Sequence, residues 1–466
     1  MNIAKSTTIL FLFCSFLAGC KQPEMSTLSS AAANFLKKTT PEIIVSEDGA
    51  KDVALEIGEV IDRSPSKLKM SDDFKGLAKE AVISDPFVLS AKANYQSRSA
   101  SANISKSLKD FQVSGTLYGG IEDVTDETVG VAAVINANKL LYDGGKLDGR
   151  ISADEYYAVA AMKEYELAID ESARVALGAW VELERYKSLH QLIGSRLEVL
   201  GPLITQLERV AKAGLGDVAM VSAAQRTVSM IEVIQTDVEQ RLAQAQVSFI
   251  NVFGDLPLSV RFDGAAISEA VPTNISKDLI EGAPALQLEY AKYQAALASL
   301  RSIRATDSIN VGFETKIQRP FGESDYDSDE SIGLVLRKTL YSGGKLVSEI
   351  EASEAQVNAQ LESFKSTFRL GDRTIQTAKK TIVSMEKAIV LAKSNAVNTR
   401  DEINYLRKQL IIGQSTLDSV LSAEARLYDA EAKEIDFIAD RHQAELTILT
   451  ATGQLSGFLN IHVRQE

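Results

Sequence analysis

Hydrophobic residues recur along most of this chain at steps of three and four. Leu189, Ile193, Leu197, Leu200, Ile204, Leu207 and Val210 form one such stripe, and Ala224, Val228, Ile231, Val238, Leu242, Ala245 and Phe249 form the next. A narrow stripe of this kind suits helix-on-helix packing of coiled-coil character. In two places the period shortens to two. Val311, Phe313, Thr315 and Ile317 alternate with Gly312, Glu314, Lys316 and Gln318. Ile332, Leu334, Leu336 and Lys338 alternate less cleanly with Gly333, Val335, Arg337 and Thr339. The expected strand pairs are 111–118 with 130–142, and 309–318 with 331–341. Apolar residues at every second position over about ten residues match a membrane β-strand with one lipid face and one lumen face. Acidic, turn-rich links fit solvent-exposed loops between the strands: Glu122-Asp123-Val124-Thr125-Asp126-Glu127, and Pro320 through Glu330.

The same landmarks then occur twice in the same order. Leu141-Tyr142-Asp143-Gly144-Gly145-Lys146-Leu147 returns as Leu340-Tyr341-Ser342-Gly343-Gly344-Lys345-Leu346. Pro86 corresponds to Pro284, Gly214 to Gly413, Ser222-Ala223-Ala224-Gln225-Arg226 to Ser422-Ala423-Glu424-Ala425-Arg426, and Phe253-Gly254 to Thr452-Gly453. All the offsets lie within a residue or so of about 199, which makes the body two copies of one structural unit. Each copy is expected to open with a helix, at roughly 85–108 and 283–305. Two strands follow, then a long helix from Gly-Gly-Lys, a break near Gly214 or Gly413, and another helix. A helix from 146 to 212 would be on the order of 100 Å long, more than a compact globule accommodates. Gly144, Gly145, Gly343 and Gly344 are expected at strand-to-helix turns, where glycine supplies unusual backbone angles. Asp217 and Thr416 stand where helix N-caps are expected after each break.

Strand count constrains assembly. Four strands cannot close a membrane barrel, and open edges are forbidden in lipid. Two chains give eight strands, whose interior side chains fill the barrel. Three give twelve, the smallest assembly expected to leave a passage, so a homotrimer is favoured.

Composition supports long helices and excludes other classes. Only 9 of 466 residues are Pro, 3 are His and one is Trp, as suits uninterrupted helices. A net charge of −13 argues against a nucleic-acid surface. The two cysteines, Cys14 and Cys20, both lie in the first twenty residues, so no disulfide framework or Cys/His zinc site is expected in the body. Lys5, the apolar Ile9-Leu10-Phe11-Leu12-Phe13 and Leu17-Ala18-Gly19-Cys20 read as an export signal. The small residues before Cys20 resemble the lipobox of bacterial lipoproteins, in which this Cys is acylated; several acyl chains make a stable anchor. Lys21 in place of Asp favours the outer membrane. An ordinary cleaved signal with an incidental Cys is the alternative.

No catalytic set stands out. The Gly-Gly-Lys sites do not fit a phosphate loop, because Leu147 and Leu346 follow the lysines. Asp325, Asp327 and Asp329 alternate like the start of a calcium loop, but Glu330 and Leu336 occupy the positions of its Gly and closing Glu. No Ser/His/Asp or Cys/His arrangement is visible, and no enzyme activity, cofactor or metal is expected.

With the repeat, junctions and tips in hand, the chain resembles the TolC-like outer-membrane efflux family over essentially its whole mature length. The strand-Leu-Tyr-x-Gly-Gly-Lys-helix junction is similar to the family's own. Gly413-Gln414-Ser415-Thr416-Leu417-Asp418-Ser419-Val420-Leu421-Ser422-Ala423-Glu424 looks like its second-tip pattern. The resemblance implies a mixed α and β membrane protein: a trimeric α-barrel of long coiled-coil-like helices, with four strands per chain in a shared 12-stranded β-barrel. It implies an equatorial region and docking to a periplasmic adaptor and an inner-membrane pump or ABC transporter. Partner contacts would fall at the tips, at Gly214, Asp217, Gly413, Thr416, Asp418, Ser419 and Ser422. Family carboxylates that form constricting rings align here with Ser419 and Ser422, and Asp418 stands one residue early, which argues against an acidic ring. The expected division is a lipoprotein signal peptide (1–19), an N-terminal lipid-anchored linker and equatorial segment (20–84), a first repeat (85–254), an inter-repeat linker (255–282), a second repeat (283–453) and a tail (454–466). The expected function is a passive exit duct of a tripartite efflux or type I secretion system, lipid-anchored in the outer membrane and extending into the periplasm. The alternative is a periplasmic adaptor lipoprotein, which should instead show one helical hairpin between β-rich lipoyl halves.

Overall fold

In a computed structural model of the protein, the described residues are 73–121, 129–213, 218–256, 260–322, 324 and 326–463. All described elements belong to a unit running from Lys67 to Glu466. Their order is α1 (Phe74–Ser84), α2 (Pro86–Ser107), β1 (Gln112–Ile121), β2 (Val129–Tyr142), α3 (Lys146–Lys212), α4 (Val218–Phe253), α5 (Gly264–Ala270) and α6 (Lys277–Glu281). Then follow α7 (Pro284–Arg304), β3 (Asn310–Phe321), β4 (Asp329–Arg337), α8 (Lys345–Ile411), α9 (Leu417–Ala451) and α10 (Leu455–Phe458). The signal segment, Cys20, the 122–127 link, Gly214, Asp217 and Asp325 lie outside the described residues, as do the side chains of Ile204, Leu207, Val210, Ala224 and Val228.

The two long helices, α3 and α8, have 67 residues each, so each is on the order of 100 Å long. Pro86 and Pro284 open α2 and α7 at the first helical turn, where a missing N–H costs nothing. Asp85 caps α2 by accepting the Phe87 N–H at 2.9 Å. Its other carboxylate oxygen accepts from Ser172 Oγ at 2.5 Å, which pins the start of α2 to α3.

All four strands form one antiparallel meander in the order β1-β2-β3-β4. The boundaries differ from the sequence expectation in three places. β1 and β3 run on to Ile121 and Phe321, because β2 offers partners as far as Val129 and Val131. The 320–330 link is shorter than expected, since Pro320, Phe321, Asp329 and Glu330 lie within strands. β4 stops at Arg337, short of the expected 341. Its neighbour β3 begins at Asn310, the partner of Arg337, so among the described residues the ladder has no partner for Lys338–Ser342. Leu340 and Tyr341 are consequently 91% and 87% exposed.

The main core gathers around the middle of α3. Trp180 meets Phe74 of α1 edge-on at 5.5 Å, Phe249 of α4 at 4.8 Å and Phe253 at 5.8 Å. Ile267 of α5, Leu446 and Leu449 of α9 and Leu455 of α10 complete the cluster. Buried Asp170 of α3 holds α10 here, accepting the Ser456 N–H at 2.8 Å. Farther along α3, Ile193 and Leu200 pack against Ile231 of α4 and Leu417 and Leu421 of α9. Ala396 and Ile403 of α8 pack against Ala423, Leu427 and Ala430 of α9. The stripe positions Leu189, Ile193, Leu200, Ile231, Val238, Ala245 and Phe249 are all buried.

Candidate conduit and tip

Register sorts the sheet into two chemically distinct faces, since antiparallel partners share a face. One face carries Val113 and Leu117, Val131 and Ile135, Phe313 and Ile317, and Ile332 and Leu334, with Thr315 and the Arg319–Glu330 ion pair as its polar members toward the loop end. The other carries Gln112, Ser114 and Thr116, Asn136 and Asn138, Glu314, Lys316 and Gln318, and Asp329 and Ser331. Lys316 pairs with Asp329 at 3.1 Å and Arg337 with Glu314 at 2.6 Å on the polar face. Val113, Leu117, Ile332 and Leu334 are exposed on the apolar face. The outer edges of β1 and β4 have no strand partner within the chain among the described residues.

Both strand-to-helix junctions need glycine. Gly144 and Gly145 have φ of +70° and +88°, and Gly343 and Gly344 have +62° and +83°, a region L side chains avoid. Asp143 also accepts from the Gly145 N–H at 2.9 Å and the Leu147 N–H at 2.6 Å, closing the first turn of α3. A Cβ at Gly144 would overlap the Ser308 side chain, whereas one at Gly343 meets open space. Gly144→Ala is therefore expected to destabilise by about 2 kcal/mol and Gly343→Ala by about 1 kcal/mol, measurable as a larger loss of thermal midpoint for the first.

At the described tip, Gly413 takes φ +74° and Thr416 caps α9, its Oγ1 accepting the Ser419 N–H at 3.3 Å. Ser419 Oγ lies 2.8 Å from the same hydroxyl, so Ser419 belongs to the cap. Asp418, Ser422, Arg426 and Asp429 are exposed along the first turns of α9, a stripe of mixed charge. Ile411, just before the turn, is 84% exposed.

Behind this stripe runs an ionic chain for which the motif reading gave no signal. Glu424, 3% exposed, accepts from Arg407 of α8 at 2.7 Å and from Arg196 of α3 at 3.4 Å. Glu431 accepts from Arg400 of α8 at 2.6 Å and from Arg196. The chain Arg407–Glu424–Arg196–Glu431–Arg400 thus ties α3 to the α8–α9 hairpin with a net charge of +1 across its five members. Its sequence signature is heptad spacing of opposite charge, Arg400 and Arg407 on one helix and Glu424 and Glu431 on the next. Glu424 closes the family-like tip segment, where the apolar pattern draws the eye instead, and Glu431 lies seven residues beyond it.

A Ser/His/acid grouping does occur, contrary to the sequence expectation. Ser268 Oγ donates to Glu445 at 2.9 Å, and Glu445 lies 2.8 Å from His442 Nδ1. The serine contacts the carboxylate instead of the imidazole, and His442 Nε2 is pressed against Gly264. The imidazole therefore does not face the hydroxyl, and the grouping ties α5 to α9. Among the described residues no group of three or more His, Cys, Asp or Glu is placed to hold a metal ion. No described helix is long and apolar enough to cross a membrane.

Residues 275–454 match the family model for outer membrane efflux proteins. A curated relative, outer membrane efflux protein BepC of Brucella suis biovar 1 (strain 1330), is 25% identical over 132 residues. That match spans 28% of this chain and 29% of the relative. Among solved structures, the outer membrane protein VceC of Vibrio cholerae superposes with a TM-score of 0.70 at 16% identity, over 81% of this chain and 95% of that one. The MtrE outer membrane channel of Neisseria gonorrhoeae gives 0.70 at 13% identity, over 82% and 89%. CmeC of Campylobacter jejuni, also an outer membrane channel, gives 0.70 at 12% identity, over 81% and 85%. At these identities the superpositions speak for the fold alone. Residues 275–454 thus resemble the outer membrane efflux proteins in sequence, and the described body of the chain shares the fold of these TolC-like outer membrane proteins.

Proposed function

We propose that three copies of this chain close a twelve-stranded barrel in the outer membrane and form a passive exit duct, continued into the periplasm by the long helices. The observation that carries this reading is the open four-stranded meander with one apolar and one polar face. Neither unpaired edge is tolerable in lipid until another copy covers it. Closure would turn the Val113–Leu334 face to lipid and the Gln112–Asp329 face to a water-filled lumen. In this reading the two repeats give pseudo-equivalent helical hairpins, and the tips at Gly214, Asp217, Gly413, Thr416, Asp418, Ser419 and Ser422 meet a periplasmic adaptor joined to an inner-membrane pump or a secretion ABC transporter. Energy comes from that partner, and the chain supplies a gate by releasing its tip helices. Acylated Cys20 would add a lipid anchor. The test is crosslinking and heat-modifiable gel migration of the outer-membrane fraction. A trimer that unfolds only on boiling, and that forms with Cys20→Ser as well, supports the reading; a monomer confined to the inner membrane overturns it.

A further inference from the structure

The apolar face of the sheet carries one cation without a counter-charge. Lys139 pairs with Phe313 across β2 and β3, and Phe313 pairs with Leu334 across β3 and β4, so the lysine stands in an apolar row. Its ammonium lies over the Phe111 ring at 4.9 Å, and Phe111 meets Phe313 edge-on at 6.0 Å. The other cations of the sheet each face a carboxylate: Lys316 with Asp329, Arg337 with Glu314 and Arg319 with Glu330. Among the described residues Lys139 has no acidic group in ion-pair range.

Position along the strand explains why a lysine is tolerated. On a lipid-facing strand, lysine costs roughly 2–4 kcal/mol at mid-membrane but only about 0–1 kcal/mol near the interface. Lys139 is three residues from Tyr142, where β2 ends at the helical side of the sheet. One row nearer the helices lie Tyr142, Val311 and Leu336, the place for interfacial aromatics. A lysine stem can cover apolar surface while its head reaches the headgroups. The ring face occupies one side of the ammonium and leaves donors for an oxyanion. β1 and β3 of the same chain flank β2, so the site is complete in one copy.

We propose that Lys139, seated on Phe111 and Phe313, binds the phosphate of a glycerophospholipid headgroup in the periplasmic leaflet. The rings offer the glycerol and upper acyl chain an apolar wall, which favours a lipid over a free anion. This rests on the barrel reading above. The test is native mass spectrometry of the delipidated full-length protein titrated with phosphatidylglycerol, paired with insertion of the same samples into vesicles. Lys139→Ala is expected to weaken phosphatidylglycerol retention about fivefold, and Lys139→Arg to keep it, with all three proteins inserting. Equal retention by Lys139→Ala and wild type, with both inserted, overturns the proposal and leaves the barrel standing. Wild-type protein that fails to insert overturns both.

Discussion

Asp170→Asn is expected to raise the thermal midpoint of the assembled protein at pH 8 and to leave it nearly unchanged at pH 4. Burial pushes the Asp170 carboxyl up from 3.8 to about 7, with Glu166 adding to the rise and the bonds from Ser456 opposing it. Between those two values the folded chain holds a proton that the unfolded chain has released. Stability is therefore greatest at or below about pH 4 and falls as pH rises toward 7, above which the full cost persists. A shift of that size corresponds to roughly 4 kcal/mol. Asparagine keeps an acceptor for the Ser456 N–H and cannot ionise. Among the described residues Asp170 Oδ2 has no hydrogen-bond partner, so the amide nitrogen that replaces it breaks no bond. Asp170 is 0% exposed, so its charge has little access to solvent. Thermal melts of both proteins across pH 4–8 check the expectation: parallel curves would show that Asp170 does not titrate with folding.

Much of this architecture was legible because it is periodic. The steps of three and four at Leu189, Ile193, Leu197 and Leu200 require a helix with one buried stripe, and the alternation from Val311 to Ile317 requires a two-faced strand. Gly144, Gly145, Gly343 and Gly344 marked the junctions because only glycine accepts their backbone angles cheaply. What stayed hidden depends on which surfaces meet across hundreds of residues. Arg196 is separated from Glu431 by 235 positions, and no local pattern says that α3 lies against α9. Helix α1 has only 11 residues and earns its place through Phe74 against Trp180. The end of β4 was misjudged for a related reason: its period continues past Arg337, but its partner strand does not. Ser268, Glu445 and His442 likewise converge only once the linker folds back onto α9.

These long-range ties bear on how the tip could move. The hairpin of α8 and α9 is held internally by Ala396 and Ile403 against Ala423 and Leu427, and by Arg400 and Arg407 on Glu431 and Glu424. Its attachment to α3 and α4 at the same level is smaller: Ile193, Leu200 and Ile231 against Leu417 and Leu421, plus Arg196. The tip end of the hairpin, beyond the core that Leu446 and Leu449 share with α3, can thus part from α3 while Ala396, Ile403, Ala423 and Leu427 stay packed together.

Arg196→Met is accordingly expected to favour the released tip and to raise the open fraction in planar bilayers about 5–30-fold. Arginine 196 bridges both glutamates, and its side chain is 17% exposed, so solvent screens the bridge only in part. Removing it deletes two charge-assisted contacts between α3 and α9, and a loss of about 1–2 kcal/mol shifts a two-state ratio by a factor of that size. Methionine preserves most of the stem that packs between the helices. The glutamates are not stranded, because Glu424 keeps Arg407 and Glu431 keeps Arg400. Glu424→Gln should behave differently: Arg407 loses its carboxylate inside the hairpin itself, so opening is accompanied by a fall in thermal midpoint. Breaking a buried pair at one partner costs roughly 3–5 kcal/mol, toward the lower end here because Arg407 is partly exposed. High salt should reproduce neither effect fully, since buried pairs are screened little. An Arg196→Met channel with wild-type conductance and wild-type melting would show that the ionic chain is a passive part of the packing, with the tip held by Leu417 and Leu421 alone.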